Sequence, residues 1–332
     1  MTIYLATNNV NDFGGITDGV TVDTSFFDST YVDSAVIMKS RNGGGFPVIM
    51  GHPFSTASDS QAWVHFDLHM PITNSSVVDG SFMTWLDTDG NRLLASSFIN
   101  GNLILTVYNG AIASTSNGTG FFLPQGLATY DILYEDDGVD VNLSVYIDGV
   151  LFIGVTRAAA VTKKIPSVFI WDNIDSGSGS SDFAYVSQVI MANESTIGMK
   201  LQSISPNAIG NYADLSATVT EVTDGIQTTG WIGDTAAQKQ SFTTTGYSLP
   251  ATRIVHSVLP EFELRFGATG PQNIRPFVRI GGVDYTAPAD LQPDNRTKRG
   301  LVGYAWTTNP ATALPWTGTE IAALEAGYEV KT

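Results

Sequence analysis

Apolar and polar residues alternate with a period of two over much of this chain, the spacing of a strand with one face buried. In "AWVHFDLHM" (Ala62 to Met70) Val64, Phe66, Leu68 and Met70 point one way, and His65, Asp67 and His69 point the other. "FMTWLDTDGNRLLASSFINGNLILTVYNG" (Phe82 to Gly110) reads as successive strands turned at Asp89-Gly90 and Asn100-Gly101. Both dipeptides suit the positive φ angles of a tight hairpin turn. "VNLSVYIDGVLFIGV" (Val141 to Val155) is the cleanest hairpin, turned at Asp148-Gly149. "SVFIW" (Ser167 to Trp171), the Gly/Ser loop Ser176 to Ser181 and "DFAYVSQVIMA" (Asp182 to Ala192) complete a dense β region.

The pattern changes at "STIGMKLQSISPNAIGNYADL" (Ser195 to Leu215), where Pro206 and Gly210 interrupt it. Two domains are expected, residues 1–197 and 198–332. Further strands are expected in "QSFTTT" (from Gln240), "ATRIVHSVLP" (from Ala251), "EFELRFGA" (from Glu261), "IRPFVRIGGVDYTA" (from Ile274) and "RGLVGYAWTTNP" (from Arg299). Regular short strands with frequent turns predict an all-β chain of two β-sandwich or jelly-roll domains. One stretch departs from this. In "PWTGTEIAALEAG" Thr317 and Glu320 have capping-box spacing, and Trp316 and Ile321 are placed as a hydrophobic staple. Ala322, Ala323 and Ala326 favour helix, and Gly327 reads as its C′ stop. A short C-terminal α-helix is therefore expected. Too short to persist alone, it must dock its Trp316, Ile321 and Leu324 face on its own domain or on a neighbour.

Composition narrows the function classes. There are 16 basic and 32 acidic residues, a formal charge of −16, yet only 14% of residues are charged. No basic stripe is present to displace counterions from phosphate, which argues against nucleic-acid binding. There are no cysteines, so disulfides and thiolate metal sites are excluded. The start "MTIYLATNNVNDFGG" lacks a basic segment followed by an apolar one, so no secretory leader is expected. No apolar run approaches the roughly 20 residues of a membrane span.

Candidate chemistry is sparse. His65, Asp67 and His69 share one strand face at about 7 Å spacing, workable for a metal shared across a symmetry axis. The polar face of a half-buried strand is the better reading. "DTDGN" (Asp87 to Asn91) opens like a calcium loop, but Arg92 and Phe98 stand where glycine and glutamate are needed. Glu135, Asp136, Asp137 and Asp140 crowd one turn and read as a solvated loop. A glycosidase needs two opposed carboxylates across a groove, and no strand alternates acidic residues to supply them. "GSGSS" and "RNGGGFP" mimic catalytic or phosphate-binding loops only through low complexity. The reading is of a non-enzyme with no cofactor. Most tryptophans alternate with aliphatic residues and read as core, whereas Trp231 in "TTGWIGDT" reads as loop-borne and is the candidate sugar-stacking residue.

The strand order over residues 1–195, the hairpin "LSVYIDGVLF" and the closing "FAYVSQVIMANESTIG" resemble the laminin-G/concanavalin A-like jelly roll. The last third resembles virion structural proteins of tailed bacteriophages, on Asn309-Pro310, Thr312, Trp316-Thr317, Ile321, Ala323-Leu324-Glu325 and Gly327. That resemblance implies a fibre, spike or decoration subunit on a virion, made in the host cytoplasm. It implies a homo-oligomer, a trimer being favoured, that contacts other virion proteins; the candidate assembly residues are the helix face Trp316, Ile321 and Leu324, whose own domain is the first choice of docking partner. The alternative is a lectin-like host-attachment module that binds surface glycan, with a glycan hydrolase third.

Overall fold

The computed structural model describes residues 1, 3–7, 27, 36–39, 48–50, 60–70, 80–87, 89–99, 102–109, 112–122, 126–158, 166–171, 183–215, 218–223, 233, 235–244, 248–249, 253–264, 269–292 and 300–332. They form two compact units, Met1–Ser203 and Ile204–Thr332. The all-β expectation with one short C-terminal helix is borne out.

The first unit contains β1 (Ile3–Thr7), β2 (Val36–Lys39), β3 (Val48–Met50), β4 (Gln61–Met70), β5 (Gly80–Asp87), β6 (Arg92–Ile99), β7 (Asn102–Asn109) and β8 (Ile112–Phe122). It continues with β9 (Gly126–Asp136), β10 (Asp140–Ile147), β11 (Val150–Ala158), β12 (Pro166–Trp171) and β13 (Phe183–Ala192). One antiparallel sheet runs β1-β13-β4-β9-β10-β11, with β2 also on β13; the other runs β3-β12-β5-β6-β7-β8. The inward residues of both sheets make a continuous core that includes Val64, Phe66 and Leu68 from β4, Tyr130 and Ile132 from β9, and Trp85, Leu94 and Leu105 from β5 to β7. Phe66 stacks on Tyr130 at 5.3 Å and meets Phe169 edge-on at 6.5 Å. Period-two patterning thus fixes which face of each strand is inside.

Turn chemistry follows the sequence at Asp148-Gly149, whereas the Asn100-Gly101 turn lies outside the described residues. Asp148 (φ 50°) and Gly149 (φ 77°) close the β10–β11 hairpin, both left-handed as a primed turn requires. The Asp87 carboxylate accepts the amides of Asp89 and Asn91, which makes the β5–β6 connection a four-residue loop around Gly90 (φ 80°).

The second unit contains β14 (Ala208–Ala213), α1 (Val219–Thr223), β15 (Lys239–Thr243), β16 (Glu261–Leu264), β17 (Asn273–Ile280), β18 (Val283–Thr286), β19 (Gly300–Gly303), α2 (Gly318–Ala322) and β20 (Glu325–Lys331). Five strands form a sheet in the order β14-β15-β20-β17-β18, and β16 pairs with β19. The expected strand after Ala251 is replaced by two isolated bridges, Val255 to Trp316 and Val258 to Trp306. Pro260, with no amide to donate, breaks the pairing after them.

The capping box is present: Thr317 Oγ1 accepts from the Glu320 amide, and Glu320 Oε2 accepts from the Thr317 amide. The helix stops at Ala322, and Gly327 is not its C′ residue. Instead Glu325–Lys331 is the middle strand of the sheet, paired with β15 on one side and β17 on the other. A Cβ on Gly327 would lie 2.2 Å from the Gln240 carbonyl oxygen and 2.7 Å from Phe277 Cζ, so close packing and not a left-handed turn selects glycine there.

Candidate functional site

Strand β4 is buried on both faces, from Ala62 to Leu68. The inner face belongs to the core. On the outer face, register aligns residues of β4, β9, β10 and β11 into rows that cross the strands.

In the row His65–Asp131–Tyr146 the first two residues are covered by residues 194–201, which fold back across the sheet as a strap. His65 Nδ1 lies 2.8 Å from Asp131 Oδ1, and Thr196 Oγ1 donates to the same oxygen at 2.7 Å. His65 and Asp131 are 0% and 1% exposed, and His65 Nε2 and Asp131 Oδ2 have no partner among the described residues. In the next row Asp67 accepts from Thr129 Oγ1 at 2.6 Å and pairs with Lys200 of the strap at 3.1 Å. The Gln188 side chain, at a bulge with φ 60°, donates to the Leu201 carbonyl and accepts from its amide. The strap is thus held at Thr196, Lys200 and Leu201.

This arrangement separates the three candidate metal ligands. His65 is committed to Asp131 and Asp67 to Thr129 and Lys200, while His69 sits at the far end of β4, opposite Leu127. Among the described residues no group of three His, Asp or Glu side chains is placed to hold a metal ion. The face expected to be simply solvated is instead roofed, because two buried carboxylates draw strap donors down to themselves.

Beyond the strap the sheet face opens. Trp63 and Tyr146, two strands apart, stack with ring centroids 5.7 Å apart. Trp63 is buried; Tyr146 is half-buried. Beside them the row Trp63–Leu133–Ser144–Gly154 forms a floor that loses its side chain at exposed Gly154. The outermost row is Gln61–Glu135–Asn142–Thr156. These four are half-buried or exposed, and Glu135, Asn142 and Thr156 are joined across the strands. Asn142 Nδ2 donates to Glu135 Oε2 at 3.3 Å, Thr156 Oγ1 donates to Asn142 Oδ1 at 2.7 Å, and Gln61 Oε1 accepts from Trp63 Nε1 at 2.8 Å. The result is a half-buried Tyr146 ring backed by buried Trp63, a shallow floor and a polar rim on one rigid sheet.

The second unit holds a different polar cluster, to which each of its five main strands contributes. Tyr212 on β14 donates to Asp284 on β18 at 2.7 Å. Lys239 on β15 and Arg279 on β17 both pair with Asp284, and Arg279 Nε lies 3.9 Å from Glu325 on β20. Glu325 Oε1 accepts from Ser241 Oγ and from the Asn211 amide, which pins the bulge that carries Tyr212. Edge strands of a flat five-stranded sheet stand about 19 Å apart, so this contact requires the sheet to curl. Hydrogen bonds from Lys239, Tyr212 and Arg279 outweigh the opposing effect of burial and hold the Asp284 carboxyl below its ordinary range. The Tyr212 hydroxyl is pushed up, chiefly by its hydrogen bond to Asp284. Each charge here is met by an opposite one, and the cluster acts as a clasp.

Trp316, Ile321 and Leu324, expected to serve assembly, lie in the core of their own unit at 4%, 4% and 6% exposure. Trp316 Nε1 donates to the Trp306 carbonyl at 2.8 Å. Asn309 is likewise internal, donating to Glu320 Oε1. Trp231 lies outside the described residues. Sequence reasoning missed the Trp63–Tyr146 stack. Its only trace is the parity that places Trp63, Leu133, Ser144, Asn142 and Tyr146 on outward positions.

No protein-family model matches the chain, and no curated protein sequence matches it. Among solved structures it is similar to endo-β-1,4-glucuronan lyase from the fungus Trichoderma reesei, with 10% identity, 57% of this chain, 95% of that one and a TM-score of 0.46. It is similar also to the binding domain of botulinum neurotoxin DC, at 10% identity over 81% of this chain and 66% of that one, TM-score 0.40. A third similarity is to endo-1,3-β-glucanase from Streptomyces sioyaensis, at 11% identity, 48% and 76% coverage, TM-score 0.33. With every TM-score below 0.5, these likenesses carry no weight for function, which rests on the sheet face itself.

Proposed function

We propose that this protein is a glycan-binding module, acting through the outer face of β4, β9, β10 and β11 without turning its ligand over. One observation carries the reading: the half-buried Tyr146 ring, stacked on buried Trp63, stands beside a cross-strand row of amide, carboxylate and hydroxyl groups on the outer sheet face. Sugars present apolar C–H faces that pack on aromatic rings, and hydroxyls that pair with planar polar side chains. A sheet fixes such groups more rigidly than loops do. The virion setting and the oligomer implied by the closing segment rest on that resemblance alone.

The test is isothermal titration of the full chain against a panel of oligosaccharides, with Tyr146→Ala and Asn142→Ala alongside. Binding that falls at least tenfold in both variants, with unchanged far-ultraviolet circular dichroism, supports the reading. Binding untouched by either variant refutes it for this face. Release of new reducing ends from a bound oligosaccharide would overturn the non-catalytic part.

A further inference from the structure

We infer that the ligand of this face is an internal stretch of an uncharged, linear glycan, lying across the strands and about three sugar units long. This rests on the glycan-binding reading and adds its chemical class, direction and length.

The class comes from charge. Glu135 stands in the rim row, and Asp140 lies at the start of the same β10 face as Asn142 and Ser144. The described residues of that row, Gln61, Glu135, Asn142 and Thr156, include no cation, and the chain carries a formal −16. A ligand carboxylate or sulfate set down here would meet the Glu135 carboxylate, with no compensating base among the described residues of the row. By contrast the cations of the other unit, Lys239 and Arg279, are already paired with Asp284.

The hydrogen-bonding capacity left on the row fits neutral hydroxyls. Gln61 uses its oxygen on Trp63 and keeps its NH2 as a donor. Glu135 uses one oxygen on Asn142 and keeps the other as an acceptor. Asn142 retains its second N–H, and Thr156, which donates to Asn142, retains its oxygen as an acceptor. From β4 to β11 the row therefore reads donor, acceptor, donor, acceptor. A hydroxyl both gives and takes a hydrogen bond, so consecutive hydroxyls satisfy this order, whereas a carboxylate, which only accepts, cannot.

Direction and length come from sheet geometry. Four strands about 4.8 Å apart place the ends of the row about 14 Å from one another. That distance takes about three sugar units at roughly 5 Å each, running perpendicular to the strands. The floor row ends at Gly154, an exposed residue on edge strand β11 with no side chain to wall it off. A chain can continue past it, which is why an internal stretch fits better than a terminal sugar.

The experiment is titration of the full chain with neutral gluco- and manno-oligosaccharides of one to six units, and with oligogalacturonates of the same lengths. Expected is affinity for the neutral series that climbs to about three or four units and then levels, with the acidic series at least tenfold weaker. Glu135→Gln removes the charge and, with its one oxygen on Asn142, turns the ligand-facing acceptor into a donor, so the acidic-to-neutral affinity ratio should rise about fivefold at low salt and less at high salt. Preference for the acidic series, or full affinity for a single sugar unit, would overturn this inference and leave the binding face standing. If neither series binds, the glycan reading falls and takes the inference with it.

Discussion

Replacing Gly327 with alanine is the sharpest probe of the second unit. The added methyl would stand 2.2 Å from the Gln240 carbonyl oxygen, 2.7 Å from Phe277 Cζ and 2.8 Å from Ser241 Cβ. The first obstacle is backbone inside the β15–β20 ladder, and the second is a ring with no exposed surface. Neither can yield without opening the sheet, which puts the overpacking cost near the upper end of its usual range, about 3 kcal/mol. Alanine is favoured over glycine in a strand by about 0.5–1 kcal/mol, leaving a net loss of about 2 kcal/mol. At about 4 °C per kcal/mol the unit should melt roughly 8 °C lower. Differential scanning calorimetry of the full chain measures this, with Leu324→Ala marking which transition belongs to the second unit. Gly154→Ala is the control. Its new methyl would have nothing nearer than 3.6 Å, and no loss is expected. A Gly327→Ala loss of under about 1 kcal/mol, the cost at a helix C′ glycine, would refute the strand-packing account.

Other outcomes follow from the networks. Asp284 titrates below its unfolded value, so its contribution is present above that value, near 3.8, and is lost as pH falls through the folded one. Asp284→Asn should therefore flatten the acid limb of the second unit's stability curve, read as urea midpoints between pH 2 and 5. Lys239 is opposed by burial, but its hydrogen bond and attraction to Asp284 prevail and raise it above 10.5. Its contribution is therefore full below 10.5 and fades as pH rises through the folded value, which Lys239→Met should abolish. His65→Ala removes a buried ring and leaves Asp131 short of a donor, at a cost of about 3 kcal/mol in urea unfolding. Combined with Thr196→Val it should be non-additive by about 1 kcal/mol, since both side chains bond one Asp131 oxygen. Thr317→Ala should cost about 1 kcal/mol. Glu320→Ala should cost more in the same thermal melt, because buried Asn309 loses its acceptor too.

Local patterns were legible where one interaction range decides them. The β4 alternation, the Asp148-Gly149 turn and the Thr317–Glu320 capping box all read correctly, because each depends on residues within a few positions. What misled was Ala322 to Gly327. Alanines favour helix in isolation, but here the need for a strand between β15 and β17 prevails, and Gly327 is chosen by Phe277, fifty positions away. The candidate face was half legible. Parity placed His65, Asp67 and Trp63 together, but whether that side meets solvent depends on Thr196 and Lys200, more than a hundred residues on, folding back over it. Nothing local announces that Tyr146 will stack on Trp63, since the pairing of β4 with β9 and of β9 with β10 decides it.

Placing Glu325–Lys331 between β15 and β17 also sets a timetable for synthesis. The ribosome emits β15 and β17 long before the strand that joins them. At about 5–20 residues per second several seconds pass with two unmatched edges on view. Chains cut short before Glu325 would leave both edges open for good, and such edges recruit other chains. Truncation of the last twenty residues should therefore yield aggregates and not a soluble protein lacking one helix.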